Sequence, residues 1–538
     1  MKHITYWSIL LWSAVFSQPI HVQAQGAYMT AMQMEDWNTA VQIKQKEAES
    51  MPGDLNTWLD LSSATLAAGR TDDSKKALEH ILGLSPDALY ANIARGRLAL
   101  LEQKSGPAAD LFQQAAKKGR KVPNALHLIG ASYLYGAQPN LKEAEMWLKK
   151  AYEFRPKHFA TLMDLGYCYT LLSDGGNALV YYGAASREAP DAILPAYMVA
   201  KTYQKAKIAS RYVEMLDKAL AIDSVFEPAL RDKAAYLYYK EHDYEKAVAA
   251  YEKLLKHYPA APVDDKMLYA NSLFLAHQYP KTIEWVDRII LEDGSKNYLR
   301  RLAAYSSYET GEYEKGLSII QNYFSQVTPD KIIPQDYEYY GKLLQKNEKD
   351  SLAAIQYEQA ILMDSSRWEL YDEIGKIEYG LGNYPEAVKA YQHRLDSLSN
   401  PSAMDYYRIG VAYYAQQDSA AYEAAAKMFA MVSESAPTAA VGWLMQAKTL
   451  AKLEPDLEKH PELESAFGRA QPAFEKYVEI AAADPEKNRK DLVSAYEYLV
   501  YYHYVKDKPD AARPLIEDLL TLEPANATAL EINKLLDE

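Results

Sequence analysis

The stretch from Phe159 to Pro190 recurs with variations along almost the whole of a 538-residue chain, and this recurrence limits the fold more than any composition could. It reads as two short helices around a turn, Ser173-Asp174-Gly175-Gly176-Asn177. On the first helix, Leu162, Leu165, Gly166 and Tyr169 fall at three- and four-residue steps and share one face. On the second, Ala178, Tyr182 and Ala185 do the same, and Pro190 follows as the stop. The small residues let the helix axes approach, and Leu162, Tyr169 and Tyr182 fill the gaps between them. A hairpin of this size cannot bury its apolar face alone, so copies must stack on one another.

With Phe159 as position 1, these residues resemble the tetratricopeptide repeat, a family of 34-residue helix–turn–helix units. The family pattern is matched by Leu165 and Gly166 on the first helix, Tyr169 at its end, then Ala178, Tyr182, Ala185 and Pro190; Leu162 stands where the family prefers Trp. Another clear copy, Trp368 to Ser399, carries Ile374-Gly375, Gly382-Asn383-Tyr384-Pro385-Glu386-Ala387 and Tyr391. A third, from Pro334, carries Tyr340-Gly341, Ala353, Tyr357 and Ala360. The resemblance implies an all-α, right-handed superhelical solenoid that works by binding other proteins.

In order along the chain, residues 1–24 read as a signal peptide and 25–54 as a partial repeat with Trp37, Ala40 and Lys44 on a second-helix frame. Residues 55–525 form the array, with a spacing slip from Lys117 to Pro123, a longer turn from Gly136 to Asn140, and copies beginning near Ile193, Pro228, Val263 and Asn297. The count is thirteen full repeats and one partial. An insertion at 452–469 holds Glu454, Asp456, Glu458, Glu462 and Glu464 and reads as a solvated acidic connector, with a partner-binding loop as the alternative. Residues 526–538 read as a capping helix over the last apolar face.

The leader reading rests on Lys2 and His3, an apolar run from Trp7 to Phe16, and the small-residue cleavage motif Val22-Gln23-Ala24. Gln25 rather than Cys follows that motif, which argues against a lipid anchor. The run is too short to span a bilayer, and no other stretch reaches that length. The single cysteine, Cys168, excludes an intrachain disulfide or a thiolate zinc cluster and reads as a small buried filler. An exported chain with so little cysteine fits a bacterial envelope; the periplasm is the expected location, with the cell surface or secretion as alternatives. Without Lys2 the chain carries 58 Lys and Arg against 73 Asp and Glu, a net charge of −15. That balance argues against nucleic acid or an anionic membrane surface as the main partner, though peripheral association with the envelope remains compatible.

No motif carries catalytic, metal or cofactor chemistry. The eleven histidines lack helical zinc spacing, and neither a nucleophile elbow nor a phosphate loop occurs. The chain reads as a non-enzyme, and function is sought on the concave surface, which in this family is lined by first-helix positions. Those positions hold Tyr197, Lys201, Tyr236, Tyr239, Lys240, Arg301, Tyr305, Tyr308, Lys342, Lys376, Tyr379, Tyr407 and Tyr414. Tyrosine offers a broad apolar face with a polar tip, and the cations add donors for carboxylates, so the set suits a partner's extended peptide or helix. Arg301, Lys342 and Lys376 should form a basic ridge unless Glu338 and Asp372 neutralise it, and tyrosines that cover neighbouring repeats would leave the set. The carboxylate clamp of chaperone-binding family members has no counterpart here. The expected function is an interaction scaffold of the cell envelope; the alternative is glycan or small-ligand binding in the same groove.

Cleavage before Gln25 predicts that protein recovered from an envelope fraction lacks its first 24 residues by intact mass. A full-length chain confined to the cytoplasm would refute export.

Overall fold

In the computed structural model the described residues are 26–85, 89–119, 122, 124–136, 138–457 and 459–537. The expected leader, Pro86, Arg120, Lys121, Pro123, Ala137, Glu458 and Glu538 lie outside them. Every regular element among the described residues is helical, and two compact units are distinguished, Met1–Ser272 and Leu273–Glu538.

The first unit stacks helix pairs in chain order. Helical residues 26–33 precede Trp37–Ser50; then come Leu55–Ala67 with Thr71–Leu84, Leu89–Leu101 with Ser105–Lys118, and Ala125–Leu134 with Leu141–Phe154. Phe159–Leu171 with Gly175–Glu188 and Ile193–Lys205 with Ala209–Ile222 follow, and Glu227–Tyr236 leads through a five-residue π-turn, Leu237–Glu241, to Tyr244–His257. The second unit continues in the same idiom, with pairs such as Pro334–Lys346 with Asp350–Met363, Leu370–Gly380 with Tyr384–Ser397, and Ala403–Tyr414 with Ser419–Ser435. It ends in the helix Ala527–Asp537.

The turn inside most pairs ends the first helix in the same way. The first helix stops at a residue with left-handed backbone, such as Ser173 at φ 60°. The next residue, Asp174, returns its N–H to the carbonyl of Tyr169 at 2.9 Å, closing the C-terminus. Its carboxylate then accepts from the N–H of Asn177 at 3.0 Å and caps the second helix. One aspartate thus satisfies orphan groups on both helices.

Packing within a pair centres on a small residue facing a ring. A Cβ built on Gly166 would stand 2.5 Å from the ring of Tyr182, and one on Gly375 would stand 2.4 Å from Tyr391. Both contacts are closer than any real Cβ tolerates, so the first helix can lie this near the second only because glycine is there. Tyr182 is fully buried, and Leu162, Leu165, Ala178 and Ala185 around it are likewise shut off from water. Each leucine contributes about 1.5–3 kcal/mol by leaving solvent, and each alanine methyl about 0.8 kcal/mol. Cys168 is part of the same buried layer, and burial pushes its thiol up to about 12, as its role of inert filler requires.

The interior of the first unit also closes on itself. Tyr167, on the fifth pair, donates its hydroxyl to Glu35 of the first at 3.2 Å, across 132 residues of sequence. Inside this coil, Tyr28 donates to the Asp60 carbonyl at 3.1 Å, and its ring lies 4.5 Å from the Lys44 ammonium. Arg97, 3% exposed, spreads its guanidinium over Ser132, the Leu59 carbonyl and Ser63 at 2.8, 2.6 and 3.0 Å. Burial lowers its pKa to about 10, a shift that the nearby Asp60 carboxylate opposes. The Asp164 carboxylate receives the Tyr135 hydroxyl at 2.7 Å and contacts the His127 ring nitrogen at 2.9 Å. The inner surface of the first five pairs is therefore filled by the chain's own side chains.

Replacing Gly166 or Gly375 by Ala should overpack the ring behind it and cost about 1–3 kcal/mol, with larger losses for Leu. Denaturant midpoints check this, and unchanged midpoints for both would contradict the packing. Hydrogen exchange should locate the damage within a repeat or two of the substitution.

Candidate functional site

The thirteen groove candidates separate into three groups. Tyr197 and Tyr305 are packed between repeats, 1% and 2% exposed. Tyr197 donates to Asp232 at 2.9 Å, and Tyr305 donates to the fully buried Asp336. Burial and the adjoining carboxylate both raise their hydroxyl pKa well above that of free tyrosine. Their polar tips are therefore spent inside the protein.

The second group holds the cations that are neutralised in place. Lys201 pairs with Asp232 at 3.0 Å. Arg301 donates to the Tyr323 hydroxyl at 2.6 Å and lies 3.3 Å from Asp336. Lys342 pairs with Glu338 at 2.5 Å, and Arg367 reaches the other oxygen of that carboxylate. Lys376 is held between Asp372 and Glu373 at 2.9 and 2.7 Å, with Arg408 on the far side of Asp372 at 2.8 Å. The basic ridge expected from Arg301, Lys342 and Lys376 is thus a row of ion pairs. Each acid comes from the same helix or the next repeat, a source that a list of positions in one frame does not display.

Tyrosines of the second unit make up part of the third group. Tyr308 meets Tyr339 edge-on at 5.7 Å, and Tyr339 stacks on Tyr305 at 4.0 Å. Tyr379 stands against Tyr384, while Tyr407 and Tyr414 lean on Phe429 and Tyr422. Of these four, Tyr379 is the most open, at 38% exposed.

The rest of the third group, Tyr236, Tyr239 and Lys240, lies in the first unit and lines a cleft of about 620 Å³. The opposite wall consists of Gln204, Lys207, Ile208 and Tyr212 from the preceding pair, with Asp232 among the lining residues. Tyr212 meets Tyr236 edge-on at 5.7 Å, and Gln204 donates to the Tyr212 hydroxyl at 3.2 Å. Tyr239 is 56% exposed, perpendicular to Tyr238 at 4.8 Å. Lys207 and Lys240 are exposed, and neither has an ion pair or a side-chain hydrogen bond among the described residues. A solvent-facing aromatic surface and two uncommitted ammonium groups therefore occur in one concavity.

Lys207, Ile208, Tyr212 and Asp232 were not among the sequence candidates. A frame confined to first-helix positions leaves out Lys207, Ile208 and Tyr212, in the turn and at the start of the second helix, whereas Asp232 lies on the first helix Glu227–Tyr236 and fell outside a set restricted to tyrosines and cations. One signal was present in the sequence: the copies near Ile193, Pro228 and Val263 are spaced by 35 rather than 34. The helices begin at Ile193, Glu227 and Val263, so both extra residues fall after Glu227: one is absorbed by the π-turn Leu237–Glu241 and the other by the link from His257 to Val263. Beneath the π-turn, the fully buried Tyr251 hydroxyl has no hydrogen-bond partner among the described residues. An unsatisfied buried hydroxyl costs about 1–3 kcal/mol.

The insertion is docked rather than loose. Glu454 accepts from the N–H groups of Gly468 and Ala470 at 3.2 and 2.8 Å and from the Tyr498 hydroxyl at 2.9 Å. Phe467 packs among Tyr498, Tyr501 and Tyr502 with centroids 5.6, 5.6 and 6.3 Å away. Among the described residues no group of three or more His, Cys, Asp and Glu is placed to hold a metal ion, and no helix is long and apolar enough to cross a membrane.

Stacked helix pairs with ring-against-glycine packing and an aromatic concavity define a helical-repeat scaffold. The family model described as tetratricopeptide repeat matches residues 59–125, and that of the anaphase-promoting complex, cyclosome, subunit 3 matches residues 240–323. A solved structure of the C-terminal part of a TPR repeat-containing protein from Cytophaga hutchinsonii is 30% identical over 49% of this chain and 98% of its own, with a TM-score of 0.37. A tetratricopeptide repeat protein from Parabacteroides merdae is 18% identical over 48% of this chain and 98% of its own, with a TM-score of 0.29. YrrB, a TPR protein with an unusual peptide-binding site, is 21% identical over 36% and 99%, with a TM-score of 0.24. No curated protein matches the chain. The chain belongs to the tetratricopeptide repeat family. Proteins of this family are generally non-catalytic scaffolds that bind protein partners.

Because Asp336 is fully buried beside Arg301, Arg301→Glu should remove its counter-charge and add a second carboxylate. The loss should be about 3–5 kcal/mol, seen as a lower melting midpoint. By contrast, Lys376→Ala, on an exposed pair, should change stability by about 1 kcal/mol or less.

Proposed function

We propose that this protein is a non-enzymatic interaction scaffold acting outside the cytoplasm, and that it holds a peptide or helix of a partner protein in the cleft between Tyr212 and Tyr239. The observation that carries this reading is the pair of uncommitted lysines, Lys207 and Lys240, beside an exposed tyrosine face. The other groove cations singled out by sequence, Lys201, Arg301, Lys342 and Lys376, are all engaged with carboxylates. On a chain of net charge −14, local potential rather than total charge must attract an acidic segment. Desolvating Tyr236 and Tyr239 against an apolar partner group would supply the affinity. Export is part of the proposal and rests on Lys2, the run from Trp7 to Phe16 and Val22-Gln23-Ala24.

A photo-crosslinking residue in place of Tyr239 should form an adduct with a polypeptide in cells that make the protein. The adduct should vanish when Lys207→Glu and Lys240→Glu are added, with the melting midpoint unchanged. Adducts only from a probe at Tyr379 would move the site to the second unit. The cleft is also large enough for a sugar ring against Tyr239, so protection of Tyr239 by oligosaccharides with no protein adduct would favour a glycan ligand instead.

A further inference from the structure

The cleft owes its form to one irregular turn. In the pairs that begin at Leu55, Leu89, Phe159, Ile193, Val263, Pro334 and Ala403, the left-handed residue stands fourteen positions after the first residue of the helix. In the pair that begins at Glu227 it is His242, at φ 53°, fifteen positions on. The additional residue is accommodated between Leu237 and Glu241, where the backbone widens to i→i+5 hydrogen bonding.

This widening changes what the turn does. Three residues before the left-handed position, other pairs place a side chain that bonds the buried tyrosine of the second helix. Thr170 donates to Tyr182 at 3.5 Å, and Gln345 accepts from Tyr357 at 3.2 Å. Here that position is Tyr239, which faces solvent, and the hydroxyl of its buried counterpart Tyr251 has no hydrogen-bond partner among the described residues. The fold thus gives up an internal hydrogen bond and gains an aromatic ring standing free beside Lys240. Devices that weaken the fold locally and reshape its surface are typical of recognition sites.

Building on the proposed cleft, we infer that the π-turn is its specificity device, and that the side chains it fits are an aromatic residue of the partner with a carboxylate one or two residues away. The aromatic ring packs on the exposed face of Tyr239, with Tyr236 beside it and Ile208 on the opposite wall. The carboxylate is held by Lys207 and Lys240 at the rim, since Asp232 is already occupied by Tyr197 and Lys201. An acidic segment without the ring would meet the lysines but leave the cleft unfilled.

The test uses the full chain and fluorescein-labelled twelve-residue peptides with a central Asp-Phe, each paired with Asn-Phe and Asp-Ala versions. Deletion of Glu241 restores the regular count while keeping every side chain that lines the cleft. Fluorescence anisotropy should show at least a tenfold loss of affinity for the Asn-Phe and Asp-Ala peptides. A similar loss should follow from Tyr239→Ala and from deletion of Glu241, with the melting midpoint of the deletion variant equal to or above that of the parent. Equal binding by the folded deletion variant would overturn the role of the π-turn. Equal binding of the Asp-Ala peptide would overturn the aromatic requirement while leaving the cleft as the site. Failure of every peptide, alongside a protein adduct at Tyr239, would overturn the assigned chemistry alone. Failure of both would remove the cleft itself.

Discussion

Everything in this protein rests on the distance between the two helices of a pair, and in the pairs around Gly96, Gly166, Gly341, Gly375 and Gly410 that distance is set where a glycine backbone meets an aromatic ring. Gly166 against Tyr182 and Gly375 against Tyr391 leave no room for even one carbon. The ring fills the space that a side chain on the first helix would have taken, and the remaining apolar face must then be covered by the next pair. Hydrophobic burial drives stacking, but the glycine–ring contact decides the spacing at which stacking occurs.

A second rule governs the inner side. Tyrosines, lysines and arginines of one repeat reach carboxylates of the next, as in Tyr197 to Asp232, Arg231 to Asp265 and Tyr305 to Asp336. Neutral phenols serve as well as cations in this role, which lets a markedly acidic chain bury aspartates with few free positive charges. It also explains the excess of tyrosine over phenylalanine, 45 to 10: the ring packs between helices and the hydroxyl finds a carboxylate. Among the groove cations expected from sequence, only Lys240 has no ion pair among the described residues, and Lys207 stands in the same cleft in the same condition.

The family and the helical pairing were legible in the sequence because both depend on side-chain size at fixed spacing, as Leu165-Gly166 and Ile374-Gly375 show. Groove positions were legible only as directions from a helix axis. Whether Tyr305 was exposed depended on Asp336, thirty-one residues away, and whether Lys342 was free depended on Glu338 and Arg367. Such pairings belong to the stacked array and leave no mark on a single repeat. The cleft was the reverse case: its lining was partly missed, yet its cause, one residue too many between Glu227 and His242, was written in the spacing.

The hydrogen bond from Tyr167 to Glu35 gives the first unit an unusual mechanical character. A stack in which each pair touches only its neighbours behaves as a spring, with compliance that grows with every added turn. A tie between the first and fifth pairs, over a core containing Arg97 and Asp164, shorts that spring across most of its length. Under tension the tied segment would move as one block. Elastic extension within this unit would then be confined to the pairs after Glu188, where the cleft and its widened turn lie.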